Sequence, residues 1–401
     1  MLVILIIIVK WVESLNLGVK EGWRMKYVGR VLVLLVLSVF FLSFAFTKHF
    51  PKFVQVRVSP EFAKQLQSQL DIASFKNGIA DVIVHSQKEL DILKKFKIVN
   101  KKDIETLRTN QGYMTYEEIV SKLKELASSG KCTLINIGKS WEGRDILGVK
   151  FGSGPVSFVL VGLHHAREWI SSEAAIRFAM RLSNDKKAAN LLKKYTIYVI
   201  PVLNPDGLVY SMTKYTMWRK NRRHLHGDYY GVDLNRNYGY HWGEGGASSW
   251  ESSSTYRGPA PFSEKETQAF RDFILKVSPK AVVSMHSYSG LVLYPYGFTK
   301  NSVPQREIFE HLASGMAKLL GNYTPEPASS LYIASGIELD WLYAKAKAYP
   351  FVFELGKWFI PDQTQIKPIS DNVYKALIWL LNELESLPWA TGDSKKFITQ
   401  D

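Results

Sequence analysis

One stretch of the chain concentrates residues able to do chemistry. An apolar run, residues 156–163, ends in His164-His165-Ala166-Arg167-Glu168. In open α/β sheets, ligands gather at the carboxyl ends of strands. A histidine and a glutamate three apart at such an end can turn toward one metal ion. Zinc takes imidazole and carboxylate ligands, and a hydrolytic site leaves one position for water. A lone His-x-x-Glu is also what a surface or structural histidine looks like, so a third ligand is needed. His286 is the candidate. It follows the apolar run Ala281-Val282-Val283-Ser284-Met285, and shares a sheet edge with His165 if the two strands are parallel. Two histidines and a glutamate make a hydrolytic zinc set. Cobalt or nickel would fit the same donors.

Two arginines and one acid complete the chemistry. Met217-Trp218-Arg219-Lys220 sets a guanidinium beside a bulky aromatic, and Asp233-Leu234-Asn235-Arg236-Asn237 sets another beside an amide. An arginine fork matches a carboxylate with two parallel bonds. Phe351-Val352-Phe353-Glu354 ends an apolar run in an acid. A carboxylate there is costly unless paired or functional.

Taken with His286-Ser287-Tyr288, Leu331-Tyr332-x-Ala334-Ser335-Gly336, Asp340-Trp341 and Phe353-Glu354-Leu355, these motifs resemble the pancreatic-type zinc metallocarboxypeptidases, the funnelins. The resemblance runs over residues 113–387, with every motif in family order. It implies an exopeptidase that hydrolyses the C-terminal bond of peptides, with one catalytic zinc held by His165, Glu168 and His286. His164 falls outside the motif spacing and stands behind it or is structural. The resemblance assigns the substrate carboxylate to Asn235 and Arg236, with Tyr332 closing over it. It gives Arg219 the scissile carbonyl oxygen, Glu354 the role of general base, and Arg167 an upstream part of the substrate. Zinc lowers the pKa of a water toward about 7, and Glu354 takes its proton. In this family the residue before Asp-Trp helps choose the side chain. Here it is Leu339, and Gly297, Ala334, Ile337 and Val352 are also uncharged. A preference for hydrophobic or aromatic C-terminal residues follows. Glu338 lies next door, and one rotation of the loop would bring it inward. After Glu354, the run Leu355-Gly356-Lys357-Trp358-Phe359-Ile360-Pro361 departs from the family pattern of an arginine and a longer loop. The departure touches the pocket rim.

These residues need a sheet to carry them. Further strands are expected at 196–202, 281–285, 291–293 and 348–353, with helices at 171–182, from a Ser263–Glu266 cap to 277, and at 371–387. Strands alternating with helices predict an α/β domain with a mixed, mostly parallel sheet flanked by helices. A small α+β segment precedes it. Residues 53–58 alternate like a half-buried strand, Ser59-Pro60 opens a helix to about 73, 80–85 is a second strand, and Ser86 with Glu89 caps a helix through 96. This segment resembles the family's activation segment. Its basic end, residues 101–108, is a candidate site for an activating trypsin-like protease.

The N-terminus reads as targeting. Met25-Lys26-Tyr27-Val28-Gly29-Arg30 precedes the apolar run 31–46, as in a signal peptide. Ser43 and Ala45 suit cleavage after Ala45, and Met25 is then a possible true start. The alternative is a retained membrane anchor at 31–46, although about 20 residues are needed to span the hydrocarbon core. The expected division is therefore 1–46 signal region, 47–110 activation segment, 111–388 catalytic domain and 389–401 tail, in a secreted protein.

Composition excludes other classes. Cys132 is the only cysteine, so no internal disulfide or thiolate cluster can form. It lies in an apolar stretch and is expected in the core. The net charge is +14, but lysines are dispersed and no basic helix carries interleaved aromatics. That pattern is a solvated surface rather than a nucleic-acid face. Two alternatives remain: a cell-wall peptide hydrolase of the same fold, and an inactive binding module. The second usually lacks a ligand or the base, and none is missing here.

Overall fold

The computed structural model describes residues 50–66, 69–103 and 112–392. The signal or anchor region, residues 104–111 and residues 393–401 lie outside them. Among the described residues no helix is long and apolar enough to cross a membrane.

The first elements are β1 (Lys52–Arg57), α1 (Pro60–Leu66), β2 (Asp71–Lys76), β3 (Ile79–Val84), α2 (Gln87–Leu93) and β4 (Lys97–Asp103). They form an antiparallel sheet in the order β2-β3-β1-β4. Two strands exceed the expected strand–helix–strand–helix pattern. The first helix stops at Leu66 rather than near 73 because Asn77 and Gly78, at φ 54° and 73°, turn a hairpin between β2 and β3. Two adjacent positive-φ residues of this kind are the signature of a tight hairpin turn. Ser86 caps α2 as expected, accepting from the Glu89 amide at 3.2 Å. The Glu89 carboxylate returns one residue early, to the His85 amide at 2.8 Å. Lys101 lies in β4, paired with Val54.

The larger domain runs α3 (Tyr116–Ser128), β5 (Thr133–Lys139), β6 (Asp145–Phe151), β7 (Val156–Gly162), α4 (Trp169–Leu182), α5 (Ala189–Lys194), β8 (Tyr195–Ile200), α6 (Pro205–Thr213), α7 (Lys265–Val277), β9 (Ala281–His286), β10 (Leu291–Tyr294), α8 (Arg306–Leu319), β11 (Thr324–Pro327), α9 (Glu338–Ala344), β12 (Tyr349–Glu354) and α10 (Gln363–Glu383). Eight strands form one sheet, β11-β10-β12-β9-β7-β8-β6-β5. The central strands β12, β9, β7 and β8 are parallel, and β5, β6 and β10 add antiparallel pairings. This is the mixed sheet expected, with helices on both faces.

Alternation places the core. Phe158, Leu160, Val283, Phe351 and Phe353 face one layer with α4, α8 and α10. Val159, Val161 and Val282 face the other, with Phe270 and Ile274 of α7 and Trp341 of α9. Both faces are dry, which explains the unbroken apolar runs of these strands. Three local expectations change. Ser263 does not cap α7; the N-cap is Glu264, without a side-chain bond. Ser263 Oγ instead accepts from Asn237 and donates to Glu264. The last helix begins at Gln363, not 371, and contains Pro368. Cys132 is half-buried at the core's edge rather than inside it, and burial raises its thiol pKa.

The register fixes the functional edge. Glu354 pairs opposite His286, and Met285 opposite Gly162. Gly162 has no room for a side chain: a Cβ would sit 2.7 Å from the Pro201 carbonyl oxygen and 2.8 Å from that of Ser171. Both neighbours are backbone. Gly162→Ala should therefore destabilise the fold by about 1–3 kcal/mol, the usual effect of overpacking, read by thermal unfolding.

Candidate active site

The chain leaves β7 through Leu163 in the left-handed region, φ 58°. That conformation is strained for leucine and persists where surroundings over-determine it. Here the Leu163 amide donates to Ser171 Oγ at 3.0 Å, and its carbonyl accepts from the Asn204 amide at 3.1 Å. The turn delivers His165 and Glu168 to the strand edge, where His286 ends β9.

The three side chains converge. His165 Nδ1 lies 2.9 Å from Glu168 Oε1, His286 Nδ1 lies 3.0 Å from Glu168 Oε2, and the two Nδ1 atoms are 3.1 Å apart. All three residues are buried. Two imidazole nitrogens and a carboxylate directed at one point are the donor set of a zinc ion. A second buried cluster, His164, His286 and Glu338, shares His286. His164 Nε2 there is held by the Tyr238 hydroxyl at 3.0 Å.

Asp233 organises the next layer. Its Oδ1 lies 3.1 Å from His165 Nε2 and accepts from the Asn235 amide at 3.0 Å, while Oδ2 accepts from Arg219 Nε at 3.0 Å and faces Nη2 at 2.9 Å. Burial would raise the Asp233 carboxyl, but Arg219 and His165 hold it well below the usual range. Burial likewise works against Glu168, and His165 and His286 keep it ionised. His286 and His164 are both pushed down, mainly by burial. Arg219 reaches within 3.9 Å of Glu168 Oε1. Desolvation, with the Glu168 charge beside it, pushes Glu354 well above the usual carboxylate range, and Arg219 opposes this.

Arg236 stands at the other end of the site. Its Nε donates to the Gly246 carbonyl at 3.0 Å and Nη1 to the Asn235 carbonyl at 2.6 Å, while Nη2 is 3.4 Å from the Tyr332 hydroxyl. Asn235 Oδ1 accepts from the Glu338 amide at 2.9 Å. Leu339, Ile337, Ala334 and Val352 form one apolar cluster with Leu291, Leu293 and Ala328, and Tyr332 packs against it. Gly297 joins them: a Cβ there would meet Ile337 Cδ1 at 2.4 Å. Glu338 points elsewhere, with Oε2 3.4 Å from His164 Nε2.

A family model described as zinc carboxypeptidase matches residues 119–376. The chain belongs to the M14 zinc carboxypeptidases. It is 34% identical over 366 residues to zinc carboxypeptidase A 1 of Drosophila melanogaster, covering 84% of this chain and 81% of that one. It is 37% identical over 299 residues to a metallocarboxypeptidase A-like protein of Trichophyton verrucosum, covering 69% and 71%. Among solved structures, carboxypeptidase A of Helicoverpa armigera shares the fold with a TM-score of 0.74 at 22% identity, covering 83% of this chain and 97% of that one. Bovine thrombin-activatable fibrinolysis inhibitor, solved with a tick carboxypeptidase inhibitor, matches with a TM-score of 0.65 and 31% identity over 69% and 98%. This zinc carboxypeptidase is thus an A-type exopeptidase, and its donor set fits zinc.

Every residue picked from sequence lies in this region, and one of them, Arg167, is already occupied. The structure gives that side chain a different partner. Arg167 is fully buried, and its guanidinium forms a two-pronged ion pair with Asp71 of β2, with Nη2 2.9 Å from Oδ1 and Nη1 against Oδ2. Sequence reasoning gave no role to Asp233, although an acid opening the Asn-Arg motif was the available signal. Outer carboxylates of this kind orient metal-binding histidines, and their loss typically weakens metal affinity about 10- to 100-fold. Asp233→Ala should raise the zinc dissociation constant by that factor, measured by competition with a chelator.

Proposed function

We propose that this carboxypeptidase removes apolar residues from peptide C-termini and is made as a zymogen. The observation that carries the reading is the buried histidine–glutamate–histidine cluster, with Arg219 3.9 Å from Glu168, Glu354 close enough to feel the Glu168 charge, and an apolar cluster of Leu339, Ile337, Ala334 and Val352 packed with Tyr332. His165, Glu168 and His286 hold the zinc. When bound, zinc supplies an acidified water and polarisation of a carbonyl. Arg236 and Asn235 take the terminal carboxylate, and an internal peptide segment, lacking one, leaves that guanidinium unpaired. Arg219, anchored by Asp233, stabilises negative charge on the scissile carbonyl oxygen. Glu354 accepts the proton of the attacking water and returns it to the leaving amine. Leu339, Ile337, Ala334 and Val352 receive the C-terminal side chain. The A-type names of the relatives support this preference. The carboxylate clamp suits ordinary peptide C-termini, and because cell-wall stem peptides also end in a carboxylate, a hydrolysis screen on both substrate types separates the two.

Glu354→Gln should lower kcat at least about 100-fold, within the usual range for a lost acid–base group, with zinc still bound. C-terminal Phe or Leu should be released from blocked dipeptides in strong preference to Arg. Preferential release of Arg would overturn the pocket reading.

Residues 47–110 are the activation segment in this proposal. Among the contacts that dock it are Asp71 on Arg167, the Tyr288 hydroxyl donating to Asp81 at 3.0 Å, and the Phe53 ring against Trp358 at 5.1 Å. His85 ties the same place, with Nε2 3.0 Å from Asp71 and Nδ1 2.6 Å from the Tyr215 hydroxyl. Clefts of about 700 and 610 Å³ open between the two parts, both lined by Phe75 and Leu331, the larger also by Ile72 and Tyr332 and the smaller by Asp81 and Tyr288. Lys101 is tied into β4, so cleavage after Arg108 is the favoured activation. The signal region 1–46, cleaved after Ala45, makes the product a secreted enzyme.

Burial would raise Asp71, but the Arg167 charge outweighs it and holds the carboxyl far below its ordinary value. A depressed carboxyl contributes stability that is full above the unfolded value, about 3.9, and fades only as pH falls toward the folded one. The ratio of uncleaved to cleaved activity should therefore stay low and flat between about pH 5 and 8. Trypsin should raise activity, and Asp71→Ala should raise it without cleavage. An uncleaved wild type that is already fully active would sink the zymogen reading.

A further inference from the structure

His286 presents two ring nitrogens, and the structure accounts for one. Nδ1 faces Glu168 and His165, as described above. Nε2 is buried and has no hydrogen-bond partner. Both carboxylate oxygens of Glu338 are also buried without a well-formed hydrogen bond, although Oε2 lies 3.4 Å from His164 Nε2 and the Ser284 hydroxyl is within reach. The two residues are neighbours: one nitrogen of His286, one of His164 and a Glu338 oxygen lie within 4.8 Å of one another. The His164 and His286 rings stack at 5.3 Å and 22°. His164 is fixed from both ends, by the Tyr238 hydroxyl at 3.0 Å on Nε2 and by Ser284 Oγ at 3.3 Å on Nδ1.

Buried polar atoms are almost always paired, and each exception needs a reason. A metal on Nδ1 supplies one. It leaves the single ring proton of His286 on Nε2, and that N–H must then find an acceptor. Metal-binding histidines give this proton to a carboxylate, a carbonyl or a water. His165 already does so, through Asp233. Glu338 is the carboxylate available to His286.

We propose that Glu338 is a positioning residue for the metal. It accepts the outer N–H of His286, through a small side-chain adjustment or one bridging water, while His164 holds the carboxylate in place. The inference rests on zinc binding at His165, Glu168 and His286. It gives Glu338 a role in metal retention rather than in choosing the substrate side chain.

The test uses the full chain in four forms: wild type, Glu338→Met, Glu338→Gln and Glu168→Gln. Methionine keeps the volume and removes the acceptor; glutamine keeps an oxygen. Zinc affinity is measured by chelator competition, cobalt-loaded protein by its visible spectrum, and the metal-free fold by its melting temperature. Glu338→Met should weaken zinc about 10- to 100-fold and alter the cobalt bands. Its metal-free melting temperature should hold or rise, because an unpaired buried carboxylate is gone. Glu338→Gln should recover most of the affinity. If Glu338→Met does not fold, Glu338→Ala is read the same way. Wild-type affinity and wild-type cobalt bands in the acceptor-free variant would overturn the proposal. So would uptake of two metal equivalents with only the weaker one lost, which would make the cluster a metal site of its own. Undiminished zinc binding by Glu168→Gln would remove the site beneath it, a failure distinct from that of Glu338.

Discussion

Two imidazole nitrogens held 3.1 Å apart against one buried carboxylate are the contact on which the rest of the structure depends. Packed without a cation, such a cluster concentrates acceptors in a dry space. The fold can hold it because the backbone, not the side chains, sets the spacing. β7 and β9 are parallel neighbours and β12 lies on the far side of β9. A slip of one residue would turn every side chain to the opposite face, and because both faces are apolar it is fit rather than polarity that forbids it: the two layers take different side chains, and Gly162 admits none. Glu354 opposite His286 is therefore a consequence of core packing far from the chemistry.

Charge around the cluster is arranged in matched pairs. Asp233 serves His165, Arg219 and the Asn235 amide together, so one buried carboxylate links the metal side of the site to the substrate side. Arg167 is the exception, since its match comes from another part of the chain. A buried ion pair is costly to desolvate, but removing one partner is worse, because the other charge stays behind uncompensated. The Asp71–Arg167 pair is thus a strong reason for the β2 hairpin to stay seated while the chain is intact. Its loss leaves a buried guanidinium without its counter-charge.

Much of this was legible in the sequence where local pattern and tertiary demand coincide. The strands ending in His165, His286 and Glu354 are apolar runs broken abruptly by polar residues, and an interior strand meeting a functional edge looks like that. Asn77-Gly78 is a turn signal, yet the helix expected to about 73 overran the first residues of β2, and the rest of that strand was not expected. Its first residue, Asp71, looks misplaced until its partner 96 positions away is known. Ser263 shows the opposite failure. The capping chemistry was sound, but Asn237 claims the hydroxyl. Pro368 hid the true start of α10, because proline inside a helix reads as a boundary. Asp233 and Glu338 were in view as letters, but their partners come from elements distant in sequence.

The short helix α9 explains why a charge beside the pocket does not enter it. Successive helical residues point about 100° apart, so four neighbours serve four surroundings. Leu339 packs with Ile337 and Val352 in the apolar cluster. Asp340 accepts from the Gly297 amide at 2.9 Å and the Phe298 amide at 2.9 Å, fixing the opposite wall. Trp341 packs into the second core layer with Tyr238. Glu338 turns toward His164. The backbone at Glu338 is itself pinned, since its amide donates to Asn235. Turning this backbone segment to bring the carboxylate into the pocket would break that bond and carry Leu339 out with it. If Leu339 selects the substrate side chain and Glu338 supports the metal, as proposed, the two roles sit on adjacent residues yet act in different directions, and a substitution at Leu339 changes the first while leaving the second in place.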